Sequence, residues 1–134
     1  MSLYIDASAL LKVYFEEPDS DRAEEILSSD EEWITGRQAL IEVRRNLARS
    51  LEGASLVQAR RQFERDWRAM AVVELTPEVC NAAADLAEVT GARTLDALHL
   101  GAAKVVGGGT LPVVTFDLRQ AQVARSLGWV VLGS

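Results

Sequence analysis

Three carboxylates stand where this chain could do chemistry. Asp6 ends the apolar run Leu3-Tyr4-Ile5, Asp117 ends Val113-Val114-Thr115-Phe116, and Asp96 lies in the apolar stretch LDALHLGAAKVV. A charge at the edge of a core is costly unless something pairs with it. Each acid has a plain structural explanation as a helix cap or first-turn residue, an arrangement that contributes about 1 kcal/mol. Two carboxylates ~4 Å apart repel by roughly 4 kcal/mol at an effective dielectric near 20. If the acids converge that closely, capping does not compensate, and they need a shared proton or a bound cation. Glu42 reads differently. On a helical wheel it lies opposite the Leu40/Val43/Leu47 stripe, beside Arg45, Asn46 and Arg49, and the pattern predicts a solvated glutamate.

The elements that must position these acids alternate. Short apolar strands are expected at Leu3–Ile5, Trp33–Thr35, Ala71–Leu75, Pro112–Phe116 and Trp129–Leu132. Between them, helices are expected at Ser8–Glu16, Ser20–Ser29, Arg37–Leu51, Ala54–Met70, Pro77 to Gly91, Leu95–Val106 and Leu118–Leu127. Thr76 with Pro77, and Thr94, read as helix starts. Strands separated by helices argue for an α/β domain with a parallel sheet covered on both faces. In such sheets ligands bind outside the carboxyl ends of the strands. Asp6 and Asp117 therefore belong on one edge, and Asp96 joins them if its helix starts there.

With 134 residues and no linker, repeat or low-complexity segment, the chain is expected to form one domain, residues 1–134. Cys80 is the only cysteine, which excludes a disulfide framework and a thiolate zinc site. The absence of a leader or a ~20-residue apolar run predicts a soluble cytoplasmic protein with no membrane partner. The net charge of −6 is uneven: Gly36–Met70 holds eight arginines against four acids. Such a region could meet a polyanion, and it is also what solvated helix faces look like. His99 is expected to be a hydrogen-bonded core histidine, and Cys80, Trp33, Trp67 and Trp129 packing residues.

Four segments, LYIDASALLKVYFEEP, ALIEVRRNLAR, TLDALHLGAAKV and VVTFDLRQAQVARSLGW, occur in the order and spacing of the PIN-domain ribonucleases. The chain resembles the VapC-type toxins of toxin–antitoxin pairs over essentially its whole length. The resemblance implies a three-layer α/β/α fold with a short, mostly parallel central sheet. It implies four metal-binding acids, which fall here on Asp6, Glu42, Asp96 and Asp117, and so replaces the solvated reading of Glu42. Ser8 and Thr115 occupy the supporting polar positions. A hard oxygen set of this kind suits Mg²⁺ or Mn²⁺. The implied activity is metal-dependent endoribonuclease cleavage leaving 5′-phosphate and 3′-hydroxyl ends. A homodimer and an antitoxin partner are implied as well.

Arg93, next to the inferred site, is the best single candidate for an RNA phosphate contact. Surface ion pairing is the expected role for most of Arg37, Arg44, Arg45 and Arg49. The nuclease reading requires that no lysine or arginine of the chain be fixed permanently among the acids. Rival readings fare less well. A haloacid-dehalogenase-like phosphatase wants Asp-x-Asp after the first strand, and here the residues are Asp6-Ala7-Ser8. A phosphoacceptor receiver domain wants paired acids there and a lysine after a late strand. An RNA-processing PIN nuclease outside toxin systems, and a catalytically silent PIN-like module, remain as alternatives.

Overall fold

Short β-branched and aromatic runs form the strands, and helices lie on both faces of the sheet they make. The computed structural model describes residues 2–134. The order is β1 (Ser2–Ile5), α1 (Ala7–Leu11), α2 (Ser20–Ser28), β2 (Glu32–Gly36), α3 (Gln38–Ser50) and α4 (Gly53–Ala69). It continues with β3 (Ala71–Val73), α5 (Pro77–Thr90), α6 (Thr94–Gly107), β4 (Val113–Thr115), α7 (Leu118–Ser126) and β5 (Val131–Gly133). The five strands make one parallel sheet in the order β3-β2-β1-β4-β5. The fold is thus three-layer α/β/α, as the alternation of elements predicts.

The chain winds outward from β1 through β2 to β3, then returns to the other side of β1 for β4 and β5. The direction of winding therefore reverses between β1 and β4, which pair through Tyr4 with Val113 and Ile5 with Val114. A crevice opens outside the carboxyl ends of the strands at such a reversal. Asp6 follows β1 directly, and Asp117 follows β4 by two residues.

Strand alternation divides the core. Leu3, Ile5 and Val114 pack with Leu10, Leu27, Val43, Leu47 and Phe63 on the face covered by α1 to α4. Tyr4 and Val113 point the other way, against Val79, Ala102 and Ala103 of α5 and α6. These two helices approach so closely that a Cβ on Gly101 would lie 2.8 Å from the Ala83 amide nitrogen and 2.9 Å from the Val79 carbonyl oxygen. The small residues of α6 serve that contact.

Several boundaries depart from the sequence expectation. α1 stops at Leu11 rather than Glu16. The amides of Lys12, Val13 and Tyr14 turn to i−3 carbonyls, and the Tyr14 hydroxyl donates to Asp66 of α4 at 2.7 Å. Tertiary anchoring thus overrides continuation of the helix. Arg93, not Thr94, is the N-cap of α6, so Asp96 sits one position deeper in its first turn. Thr76 caps α5 and Gly91 ends it in the left-handed conformation, as expected. Cys80 is exposed on α5, which buries Val79, Ala83 and Leu86 instead. Trp33, Trp67 and Trp129 pack against the core clusters. No helix among the described residues is long and apolar enough to cross a membrane.

Candidate active site

The site begins where β1 runs out. Asp6 takes extended backbone angles and caps α1, its Oδ1 accepting from the Ala9 amide at 3.1 Å. The Ser8 hydroxyl donates to the same oxygen at 2.6 Å, and the Thr115 hydroxyl donates to Oδ2 at 2.5 Å. Asp6 is only 4 % exposed. Burial pushes its carboxyl above the usual carboxylate range; nearby His99 and the bonds from Ser8, Thr115 and Ala9 oppose that push.

Asp117 caps α7, with Oδ1 accepting from the amides of Arg119 and Gln120 at 2.8 and 3.2 Å. Its own amide donates to Thr115 Oγ1 at 3.1 Å, so one hydroxyl ties the first acid to the last. The remaining oxygen, Oδ2, lies 3.5 Å from Arg93 Nη2. The same nitrogen is 3.1 Å from Asp96 Oδ2, and Arg93 Nε donates to that oxygen at 3.2 Å. Asp96 and Asp117 therefore meet across one cationic nitrogen. Gln120 Nε2 donates to the Asp96 carbonyl at 3.0 Å and holds the start of α6 against α7. The Arg93 side chain is 60 % exposed. An ion pair so open to solvent contributes about 0–1 kcal/mol, which makes Arg93 a displaceable neighbour of the acids and not a fixed occupant.

Glu42 is not solvated in the way its stripe predicts. Its Oε1 lies 2.7 Å from His99 Nε2, and its side chain is 20 % exposed. The buried face of α3 comprises Gln38, Ala39, Val43 and Leu47. On the helix, Glu42 falls between Gln38 and Ala39 at the margin of that face, toward α6. His99 is the core histidine expected, and its Nδ1 lies 2.8 Å from the Tyr4 hydroxyl. Sequence reasoning missed His99 as the partner of Glu42, and Tyr4 as the partner of His99. Contacts spanning 95 and 57 residues leave no periodic trace.

Caps and acids are thus the same residues here: Asp6 and Asp117 do both. Among the described residues, no group of three or more His, Cys, Asp or Glu side chains is placed to hold a metal ion as the side chains stand. The donor chemistry is nonetheless that of a hard cation. Mg²⁺ keeps several waters and takes one or two carboxylates directly, and Asp96 and Asp117 already share a positive group between them. Arg37, by contrast, is committed to Glu74 through Nε at 2.8 Å and Nη2 at 2.5 Å, the surface pairing expected for it.

The PIN-domain family model matches residues 3–126. The chain belongs to the PIN-domain family. This PIN domain is 34% identical over 131 residues to Ribonuclease VapC45 of Mycobacterium tuberculosis, a match covering 94% of this chain and 91% of that protein. Solved PIN-domain neighbours include VapC20 of M. tuberculosis, described as a sarcin-ricin loop cleaving toxin, with TM-score 0.74 and 16% identity over 96% of both chains. A toxin–antitoxin complex from Klebsiella pneumoniae superposes with TM-score 0.68 and 11% identity, covering 86% of each chain. At these identities the structural likeness speaks for the fold. Within that fold the crevice of this PIN domain lies where β1, β4 and the start of α6 meet.

Proposed function

We propose that this PIN domain, residues 1–134, is a Mg²⁺- or Mn²⁺-dependent endoribonuclease acting in the cytoplasm as the toxin of a toxin–antitoxin pair. The observation that carries the reading is the meeting of acids from distant segments at the sheet reversal: Asp6 and Asp117 linked through Thr115, Asp117 and Asp96 through Arg93. The ribonuclease named among its relatives at 34% identity supports the activity. The toxin–antitoxin complex among its structural neighbours supports the partner. A homodimer fits the exposed apolar residues Ile41, Val89 and Leu118.

In this reading Asp6, Asp96 and Asp117 hold the metal directly or through water, and Glu42 is a further ligand or orients the attacking water. The bound ion supplies Lewis acidity at the scissile phosphate and makes water a better nucleophile. Ser8 and Thr115 keep the Asp6 carboxylate fixed and ionisable despite its burial. Arg93, exposed beside the acids, is placed to take an RNA phosphate oxygen.

The test is cleavage of a mixed RNA pool with Mg²⁺ or Mn²⁺. Cleavage should vanish with chelator and in Asp6→Asn and Asp96→Asn. Cleavage that survives both substitutions would overturn the assignment. Expression with and without the neighbouring reading frame tests the toxin role; unaffected growth in both cases would favour RNA processing.

A further inference from the structure

His99 is 2 % exposed within a helix otherwise packed with Ala, Leu and Gly. An apolar side chain would fill that space without needing partners, whereas a buried imidazole requires them. Both ring nitrogens are committed, Nδ1 to Tyr4 at 2.8 Å and Nε2 to Glu42 at 2.7 Å. The direction of the chain follows from Glu42. A carboxylate oxygen only accepts, so the ring proton stands on Nε2, facing Glu42 Oε1, and Nδ1 is left to accept from the Tyr4 hydroxyl.

The relay also has a geometrical sense. Tyr4 stands two residues before Asp6, so both leave the strand on the same side. β1 thus sets Asp6 directly and reaches Glu42, on a helix of the opposite layer, through His99. Without the imidazole, Glu42 at the margin of α3 has solvent to turn toward.

We infer that Tyr4 and His99 form a buried positioning relay that aims the Glu42 carboxylate at the acidic edge. His99 is then a positioning residue: it touches neither substrate nor metal, and acts through Glu42. The catalytic consequence rests on the nuclease reading above, whereas the relay itself does not.

His99 is the only histidine in the chain, so a tag-free sample gives a single set of imidazole ¹⁵N resonances. The expected spectrum shows the Nε2–H tautomer in wild type, with the Nδ1 resonance moved in Tyr4→Phe, which removes the donor to that nitrogen. A wild-type ring protonated on Nδ1 alone, or an unchanged spectrum in Tyr4→Phe, overturns the relay. In steady-state kinetics His99→Leu should lower kcat about tenfold or more with KM for RNA changed less than twofold. His99→Gln, which can still donate to Glu42, should recover part of that loss, and Tyr4→Phe should lose less than His99→Leu. Wild-type kcat in a folded His99→Leu also overturns the relay. If wild type itself shows no metal-dependent cleavage, the nuclease reading fails, and the tautomer measurement still decides the relay.

Discussion

Thr115 Oγ1 lies 2.5 Å from Asp6 Oδ2 and accepts from the Asp117 amide at 3.1 Å. The hydroxyl thereby joins the ends of the two central strands at the point where the sheet changes direction. A donor at this position lets a carboxylate remain buried, and without it the desolvation cost falls on the fold.

Thr115→Val keeps the shape and removes the donor. We expect a loss of about 1–3 kcal/mol in stability and reduced nuclease activity, with Thr115→Ser close to wild type. Urea melts at neutral pH and an RNA cleavage assay check both. A Thr115→Val as stable as wild type would mean that the hydroxyl does not support Asp6.

The raised carboxyl of Asp6 makes stability depend on pH with a definite sign. The folded state holds that proton more tightly than the unfolded chain, whose Asp titrates at about 3.9. The stabilising contribution is complete below that value and is lost as pH rises through the higher folded value. Asp6→Asn removes the charge, so with chelator present it should melt several degrees above wild type at pH 7.5. The difference should shrink as pH falls through the raised folded value and be nearly gone by about pH 4. Calorimetry across pH 4 to 8 measures this, and a constant difference would count against the assignment.

Arg93 holds Asp96 and Asp117 from a solvent-exposed position. Arg93→Ala removes a positive charge that any dication must displace, so Mn²⁺ affinity by titration should rise. The same change would remove the proposed phosphate contact, so KM for RNA should rise and the salt slope of RNA binding should fall by about one. Mn²⁺ affinity that falls instead would show that Arg93 organises the acids for the metal.

Gly101→Ala should destabilise strongly, because the added Cβ meets the backbone of α5 at 2.8 Å from a nitrogen and 2.9 Å from a carbonyl oxygen. Overpacking of this kind costs about 1–3 kcal/mol. The loss should appear in thermal melts, while residual activity per folded molecule stays near wild type.

Much of this was legible from residue patterns. Strands bracketed by helices gave the parallel sheet, and carboxylates at strand ends put Asp6 and Asp117 on one edge. Asp96 declared itself as a charge in an apolar helix. Glu42 did not, because the stripe counted from large apolar residues misses Gln38 and Ala39. Both are buried on α3 and swing its inner face toward Glu42. A small residue and a buried amide carry no hydrophobic signal, so the wheel pointed Glu42 to solvent, whereas its carboxylate meets His99. The Tyr4–His99–Glu42 contacts bridge three elements, and no local pattern encodes them. Cys80 failed for the opposite reason, since an apolar-looking residue lies on the exposed side of α5.

The strand order has a consequence for a growing polypeptide. β1 lies between β2 and β4, and Thr115 follows Asp6 by 109 residues. A chain leaving the ribosome therefore carries β1 at first with neither neighbour, and then with β2 alone until β4 is made. Until β4 and α7 have cleared the exit tunnel, Asp6 waits without the hydroxyl that meets it in the finished sheet, so the two ends of the acidic edge are joined only at the close of synthesis.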